Sequence, residues 1–357
     1  MKKHNYSAGP SILPQEVFEK SAQAILDFNN SGLSILEISH RSKDFVAVMD
    51  EARALALELL GLEGKGYKAL FLGGGASLEF LMVPYNLMKE NGKAAYLDSG
   101  TWATAAIKEA KFFGETVIVG SSKEDNYNYV PKGYEIPADA DYFHCTSNNT
   151  IFGTQMKEFP TTNVPVVCDM SSDIFSRVLD FSKFDIIYAG AQKNMGPAGA
   201  ALVVIKEEIL GKNGRNIPSM LDYAKHIKAD SMYNTPPVFS VYASLLTLQW
   251  IKAKGGVAAV EKLNNAKAAL LYGEIDRNPL FKGTAALEDR SNMNVTFLLT
   301  NPEHTETFDK MWKEAGISGL PGHRSVGGYR ASIYNAMPIE SVQVLVDVMQ
   351  ALEKSVQ

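Results

Sequence analysis

The stretch Asp185-Ile186-Ile187-Tyr188-Ala189-Gly190-Ala191-Gln192-Lys193-Asn194-Met195-Gly196-Pro197 sets a lysine among small residues directly after an apolar, β-rich run. A second such run, 200–205, follows at once. Strands apolar along their whole length are those buried on both faces, as in sheets covered by helices. Outward toward the N-terminus the same kind of run recurs at 68–72, 94–97, 116–119, 142–146 and 165–168. Helical patterns or loops separate these runs, with crossover helices over 78–88 and 102–113 and a strong amphipathic helix over 44–60 ahead of the first strand. That rhythm predicts an α/β fold whose large domain is built on a mostly parallel seven-stranded sheet.

Toward the C-terminus, Pro236 and Pro237 open a long helix that runs through Trp250 and is ended by Gly255 and Gly256. The pattern then changes to helix 257–272, strand 294–299, helix 304–315, strand 329–333 and helix 338–354, a smaller α+β domain. We expect residues 15–255 to form the large domain, and residues 1–14 with 256–357 the small one.

Composition narrows the function. The 357 residues are 46% hydrophobic and 21% charged, which excludes a disordered or collagen-like chain. Lys plus Arg number 35 against 40 Asp plus Glu, so no bulk positive charge is present for nucleic acid, and a small anion would need a local cationic cluster. The most apolar run, 198–205, is far short of the ~20 residues of a membrane helix. Cys145 and Cys168 lie in apolar runs with no CxxC spacing, so reduced core thiols in a cytoplasmic protein are expected, with no metal site.

Five features could carry chemistry. Gly73-Gly74-Gly75-Ala76-Ser77, between a strand and a helix, can cradle a phosphate on unpartnered amides, or serve only as a tight turn; neither a GxGxxG nor a P-loop fits it. Lys193 can be desolvated and nucleophilic, or simply a loop lysine. Asp169, at the end of another apolar run and followed by Met170-Ser171-Ser172, would sit in the crevice where α/β sheets bind ligands, able to hold a protonated pyridine nitrogen. The cations His40, Arg41, His323, Arg324 and Arg330 suit anion recognition, though each alone is an ordinary surface charge. Trp102, in Asp98-Ser99-Gly100-Thr101-Trp102, is either a stacking platform or core.

Taken together these segments resemble the phosphoserine aminotransferases, class V members of the fold-type I pyridoxal-phosphate enzymes, along nearly the whole chain. The likeness is carried in order by Asn5-Tyr6-Ser7-Ala8-Gly9-Pro10, Glu37-Ile38-Ser39-His40-Arg41-Ser42, the glycine loop, Ser147-Asn148-Asn149-Thr150, Tyr188-Ala189-Gly190-Ala191-Gln192-Lys193-Asn194, and Pro321-Gly322-His323-Arg324-Ser325-Val326-Gly327-Gly328-Tyr329-Arg330. The resemblance implies pyridoxal 5'-phosphate as cofactor, Lys193 as the Schiff-base lysine, Asp169 on the pyridinium nitrogen, Trp102 stacked on the ring and Thr150 in contact with the cofactor. It implies that Ala76, Ser77 and Gln192 hold the phosphate, joined by Asn234 and Thr235 from the second subunit of a homodimer. Substrate anions would fall to Arg41 and Arg330, with His40, His323 and Arg324 completing the site across the interface.

The reaction so implied is ping-pong transamination from glutamate to 3-phosphohydroxypyruvate, giving 2-oxoglutarate and O-phosphoserine for serine biosynthesis. A side substrate, 4-phosphohydroxy-threonine in pyridoxine biosynthesis, is also implied. Asn149 stands where an acidic residue is expected in many relatives, outside the contacts named. The alternatives are another class V enzyme, of alanine-glyoxylate type or a cysteine desulfurase, and a non-catalytic carrier of the cofactor or a structural α/β protein. A desulfurase needs a cysteine on a mobile loop, whereas both cysteines here fall in predicted strands.

Overall fold

A computed structural model describes residues 3–324 and 326–356, so Ser325 of the cationic loop lies outside the described residues. The chain opens with strand β1 (His4–Asn5), helix α1 (Gln15–Leu26) and helix α2 (Lys43–Leu60), then alternates β2 (Tyr67–Leu72), α3 (Gly75–Leu87), β3 (Lys93–Asp98), α4 (Thr101–Ala110) and β4 (Glu115–Ser121). Four more strands follow: β5 (Phe143–Thr146), β6 (Val166–Asp169), β7 (Ile186–Gly190) and β8 (Ala201–Lys206). Short α5 (Tyr223–Lys228) and long α6 (Val238–Ala253) lead into α7 (Gly256–Arg277). The remainder is β9 (Phe281–Gly283), β10 (Asn294–Leu299), α8 (Thr305–Glu314), β11 (Ile317–Ser318), β12 (Tyr329–Ser332) and α9 (Ile339–Val356).

Seven strands form one sheet in the order β2-β8-β7-β6-β5-β3-β4. Only β8 runs against its neighbours β2 and β7, so β2 points the same way as β3, β5, β6 and β7. The expected mostly parallel seven-stranded sheet is therefore present, each strand within a residue or two of its sequence-based bounds. Both faces are covered. On one, Phe71, Phe143, Cys145, Cys168 and Ile187 pack against Phe45, Met49 and Ala52 of α2 and Leu245 and Leu248 of α6. On the other, Tyr96, Val167, Tyr188 and Val203 pack against Phe80 and Val83 of α3 and Ile107 of α4. Each large side chain so buried contributes ~1.5–3 kcal/mol. Helix α2 shows how local sequence supports this: Ser42 caps its first turn by accepting from the Phe45 amide, apolar residues recur on one face, and Gly61, at φ 64°, ends it.

A separate core gathers Tyr6 and Ile12 with Leu271, Val295, Phe297, Trp312, Tyr329 and Leu345, around the antiparallel sheet β12-β10-β9 and the parallel pair β1-β11. Helix α7 serves both cores, giving Val257 and Val260 to the first and Leu271 and Ile275 to the second. Strands β1, β9 and β11 and helices α1 and α5 are additions to the sequence-based reading. None among the described helices is long and apolar enough to cross a membrane.

Candidate active site

Because β2, β3, β5, β6 and β7 share one direction, their carboxyl ends meet along one edge, and each releases a segment that carries a candidate residue. The glycine loop follows β2, Trp102 sits in the first turn of the helix after β3, Thr150 lies four residues past β5, Asp169 ends β6, and Lys193 lies three residues past β7. Ligands bind at such edges of α/β sheets.

Lys193 Nζ donates to Thr150 Oγ1 at 2.9 Å and lies 5.8 Å from the centroid of the Trp102 ring. Removal from water lowers its pKa to about 8; Asp169 opposes that shift and the Arg330 charge adds to it. The amine is therefore available as a base or nucleophile near neutral pH. Its backbone is fixed by the N-terminal segment: Ser11 Oγ donates to the Lys193 carbonyl at 2.5 Å and the Ser11 amide to the Gln192 carbonyl at 3.0 Å. Gly9 backs onto the same residue at φ 147°, where a Cβ would come to 3.4 Å from Lys193 Cγ.

Asp169 is the register partner of Tyr188 on one side and Thr146 on the other, and is buried. Burial raises its pKa, while hydrogen bonds from Ser171 and the positive charge of Lys193 pull it back. The Ser171 amide donates to Asp169 Oδ1 at 2.9 Å, and Ser171 Oγ in turn accepts from the Gly190 amide at 3.1 Å, locking the strand end to the loop that leads to Lys193. Arg330, on β12, reaches across from the second core and donates to the Thr150 carbonyl at 3.4 Å; its Nε is buried with no partner among the described residues. Tyr334, buried just past the same strand, donates its hydroxyl to the Ala8 carbonyl at 2.7 Å and accepts from Asn294 Nδ2 at 3.2 Å.

One chain thus brings together Lys193, Thr150, Trp102, Asp169 and Arg330. Ala76 and Ser77 form the first turn of α3, with Ser77 exposed and open space beside Gly73 and Gly75. Gln192 is half-buried beside Gly190. Asn234 and Thr235 are exposed and border a cavity of about 220 Å³ that Gly73 and Leu78 of the same chain also line. Arg41, His323 and Arg324 are exposed on loops, and His40 is half-buried with its Nε2 enclosed and without a partner among the described residues. Asn149 packs its Oδ1 against Gly100, just ahead of Trp102. The sequence reading missed Ser171, Tyr334 and Ser11. For Ser171 a local signal existed, since an aspartate followed two residues later by a polar residue commonly closes a side-chain-to-backbone turn.

This arrangement fits pyridoxal phosphate on chemical grounds. A desolvated amine, a buried carboxylate, an indole on the crevice edge and an open helix N-terminus match its aldehyde, ring nitrogen, ring face and phosphate in turn.

The class-V aminotransferase model matches residues 4–345. The phosphoserine aminotransferase of Flavobacterium johnsoniae is 87% identical over 356 residues, with 100% of each chain covered. Among solved structures, the phosphoserine aminotransferase of Bacillus circulans subsp. alkalophilus superposes with a TM-score of 0.96 at 44% identity, covering 100% of this chain and 99% of that one. The pyridoxal-phosphate-bound phosphoserine aminotransferase of Trichomonas vaginalis gives a TM-score of 0.92 at 36% identity, covering 98% and 100%.

Proposed function

The chain belongs to the class-V aminotransferase family, and on that premise we propose that its crevice transfers an amino group from glutamate to 3-phosphohydroxypyruvate, giving 2-oxoglutarate and O-phosphoserine. The observation that carries the reading is the Lys193 amine, lowered to about 8 and held between Thr150, the Trp102 ring and the Asp169 charge. Full-length identity to phosphoserine aminotransferases favours the phosphate-bearing substrate over an alanine-glyoxylate type activity. A desulfurase role is disfavoured by the burial of Cys145 and Cys168 in β5 and β6.

Pyridoxal phosphate, when bound, supplies an electron sink for charge that develops at the substrate α-carbon. Lys193 would hold it through Nζ, Asp169 at the ring nitrogen, Trp102 and Thr150 at the ring, and Ala76, Ser77 and Gln192 at the phosphate. Lys193 Nζ is placed to take the substrate α-proton and give it back, with Thr150 Oγ1 holding the amine in line. Asp169, kept from water, holds a proton on the ring nitrogen more strongly than an exposed carboxylate would. Arg330 orients the α-carboxylate common to both substrates, while His40, Arg41, His323 and Arg324 meet the second anion, a carboxylate in one substrate and a phosphate in the other.

The same reading includes a homodimer, supported by exposed Phe18, Leu26, Leu33 and Leu36 near the N-terminus and by the enclosed His40 Nε2, which has no partner among the described residues, with Asn234 and Thr235 serving the neighbouring subunit. It also includes a division into residues 15–255 and the remainder, a cytoplasmic location, and 4-phosphohydroxy-threonine as a side substrate.

The test is a glutamate half-reaction on the holoenzyme followed by 2-oxo acids with and without a phosphate. The cofactor's absorbance band should fade with glutamate and return fastest with 3-phosphohydroxypyruvate. Equal recovery with pyruvate or glyoxylate would overturn the substrate assignment. Borohydride reduction and peptide mapping should label Lys193, and a label on another lysine would overturn its role.

A further inference from the structure

We infer that Asn335, which hydrogen-bonds none of the groups assigned to cofactor or substrate, is a positioning residue that fixes Lys193, Asp169 and Arg330 relative to one another. The inference rests on the reading of those three as the reacting set. Asn335 lies three residues past the end of β12, which carries Arg330, and is buried. Its backbone amide donates to Asn194 Oδ1 at 3.0 Å, and Asn194 immediately follows Lys193. Its side-chain Nδ2 donates to the Phe175 carbonyl at 3.2 Å, in the turn that leaves Asp169. Its Oδ1 accepts from Asn264 Nδ2 of α7 at 2.9 Å.

The two neighbouring asparagines close the frame. Asn194 Nδ2 donates to the Ser172 carbonyl at 3.1 Å, so the Lys193 loop is also tied directly to the Asp169 turn. Asn264 Nδ2 donates in addition to the Ser176 carbonyl at 2.9 Å. The turn so gripped needs external support: Phe175, fully buried, has φ 56°, a left-handed conformation that costs a non-glycine residue and persists only where its surroundings impose it. Asn194, Asn264 and Asn335 are each at least 95% buried, so an unpaired amide at any of them would be costly, and together they admit one register of the three segments. Plain core packing would hold these segments close without specifying that register. A displacement of about 1 Å among reacting groups is enough to lose a hundredfold in rate.

Asn335→Ala and Asn194→Ala, prepared as holoenzymes, test the assignment by stopped-flow glutamate half-reaction, pH titration of the bound cofactor's absorbance band, and thermal unfolding. We expect the half-reaction rate constant to fall about tenfold or more while the glutamate concentration at half-saturation changes by less than threefold. The band should titrate with a midpoint displaced by about half a pH unit or more, a change that mere loss of stability would not produce. Rate and midpoint unchanged in either folded variant, whatever its melting temperature, would overturn the inference, as would failure of both variants to fold. Wild-type enzyme run alongside separates the two readings: absence of a glutamate-sensitive band there would refute the reacting set itself, not the role of Asn335.

Discussion

Asp169 shares its surroundings with a second buried acid, Asp173, which is neutralised by Arg177 Nη2 at 2.8 Å and by donors from Ser147 and Gln155. Among the described residues Asp169 has no such cation of its own beyond Lys193, so its charge is free to pair with a ring nitrogen. Asp169→Asn should keep the fold and bind the cofactor, yet lose about 10²–10³-fold in the glutamate half-reaction, the scale set by removing one preorganised electrostatic partner. Near-normal turnover with an unaltered cofactor spectrum would reject that pairing. Lys267 gives a different test. The residue is 1% exposed, its amine donates to the Ile333 and Tyr334 carbonyls at 2.9 and 2.6 Å, and burial lowers its pKa from 10.5 to about 7. Between those values the unfolded chain holds a proton that the folded one lacks, so stability rises with pH through this window, at up to about 1.4 kcal/mol per pH unit for one proton. Denaturant titrations at several pH values should show that slope flattened in Lys267→Met; equal slopes would exclude Lys267 as its source. Lys193 and Asp169 were legible because each ends or follows an apolar run. Asn335 was not, since its partners lie 71, 141 and 160 residues away and no local pattern marks it.

Elements were read from sequence in proportion to how much of their stability is local. The seven strands of the large sheet announce themselves because burial on both faces demands unbroken apolar runs, and α2 because its apolar stripe, serine cap and terminal glycine agree. Strands β1 and β11 are two residues each and exist only through pairing with one another across 313 positions, His4 with Ile317. Helix α1 buries Val17, Ser21 and Ala24 on one face but leaves its larger apolar residues Phe18 and Leu26 exposed beside it, so its buried stripe is made of small side chains that mark it weakly in the sequence. The glycine loop was legible as a turn, while its specific demand is structural. Gly74 holds φ 97°, and a Cβ there would run into the Leu78 side chain. Gly74→Ala should cost about 1–3 kcal/mol of stability, and by turning the first amides of α3 it should weaken retention of the cofactor. Thermal unfolding and the cofactor dissociation rate check both effects, and an alanine variant with native values in each would show that the loop tolerates a side chain.

At the scale of the whole molecule the relation that matters is between one chain's crevice and the residues proposed to serve it from another. Asn234 and Thr235 are exposed and border a cavity shared with Gly73 of their own chain, so two arrangements compete: they serve their own glycine loop, or they project past it into the loop of a partner. Their exposure, and the exposed apolar residues of the N-terminal region, favour the second. Complementation decides between them. A subunit with Lys193→Ala has no reacting amine but intact Asn234 and Thr235; a subunit with Asn234→Ala and Thr235→Ala has the amine but not the phosphate partners. If sites are built across the interface, a mixed dimer contains one crevice with both defects and one with neither. Random reassociation of equal amounts makes half the dimers mixed, so activity should recover to roughly a quarter of wild type. If the two residues serve their own chain, every crevice in the mixture carries one defect and activity stays at the average of the parents. That outcome would move Asn234 and Thr235 into the site of their own subunit and remove the catalytic reason for the proposed dimer.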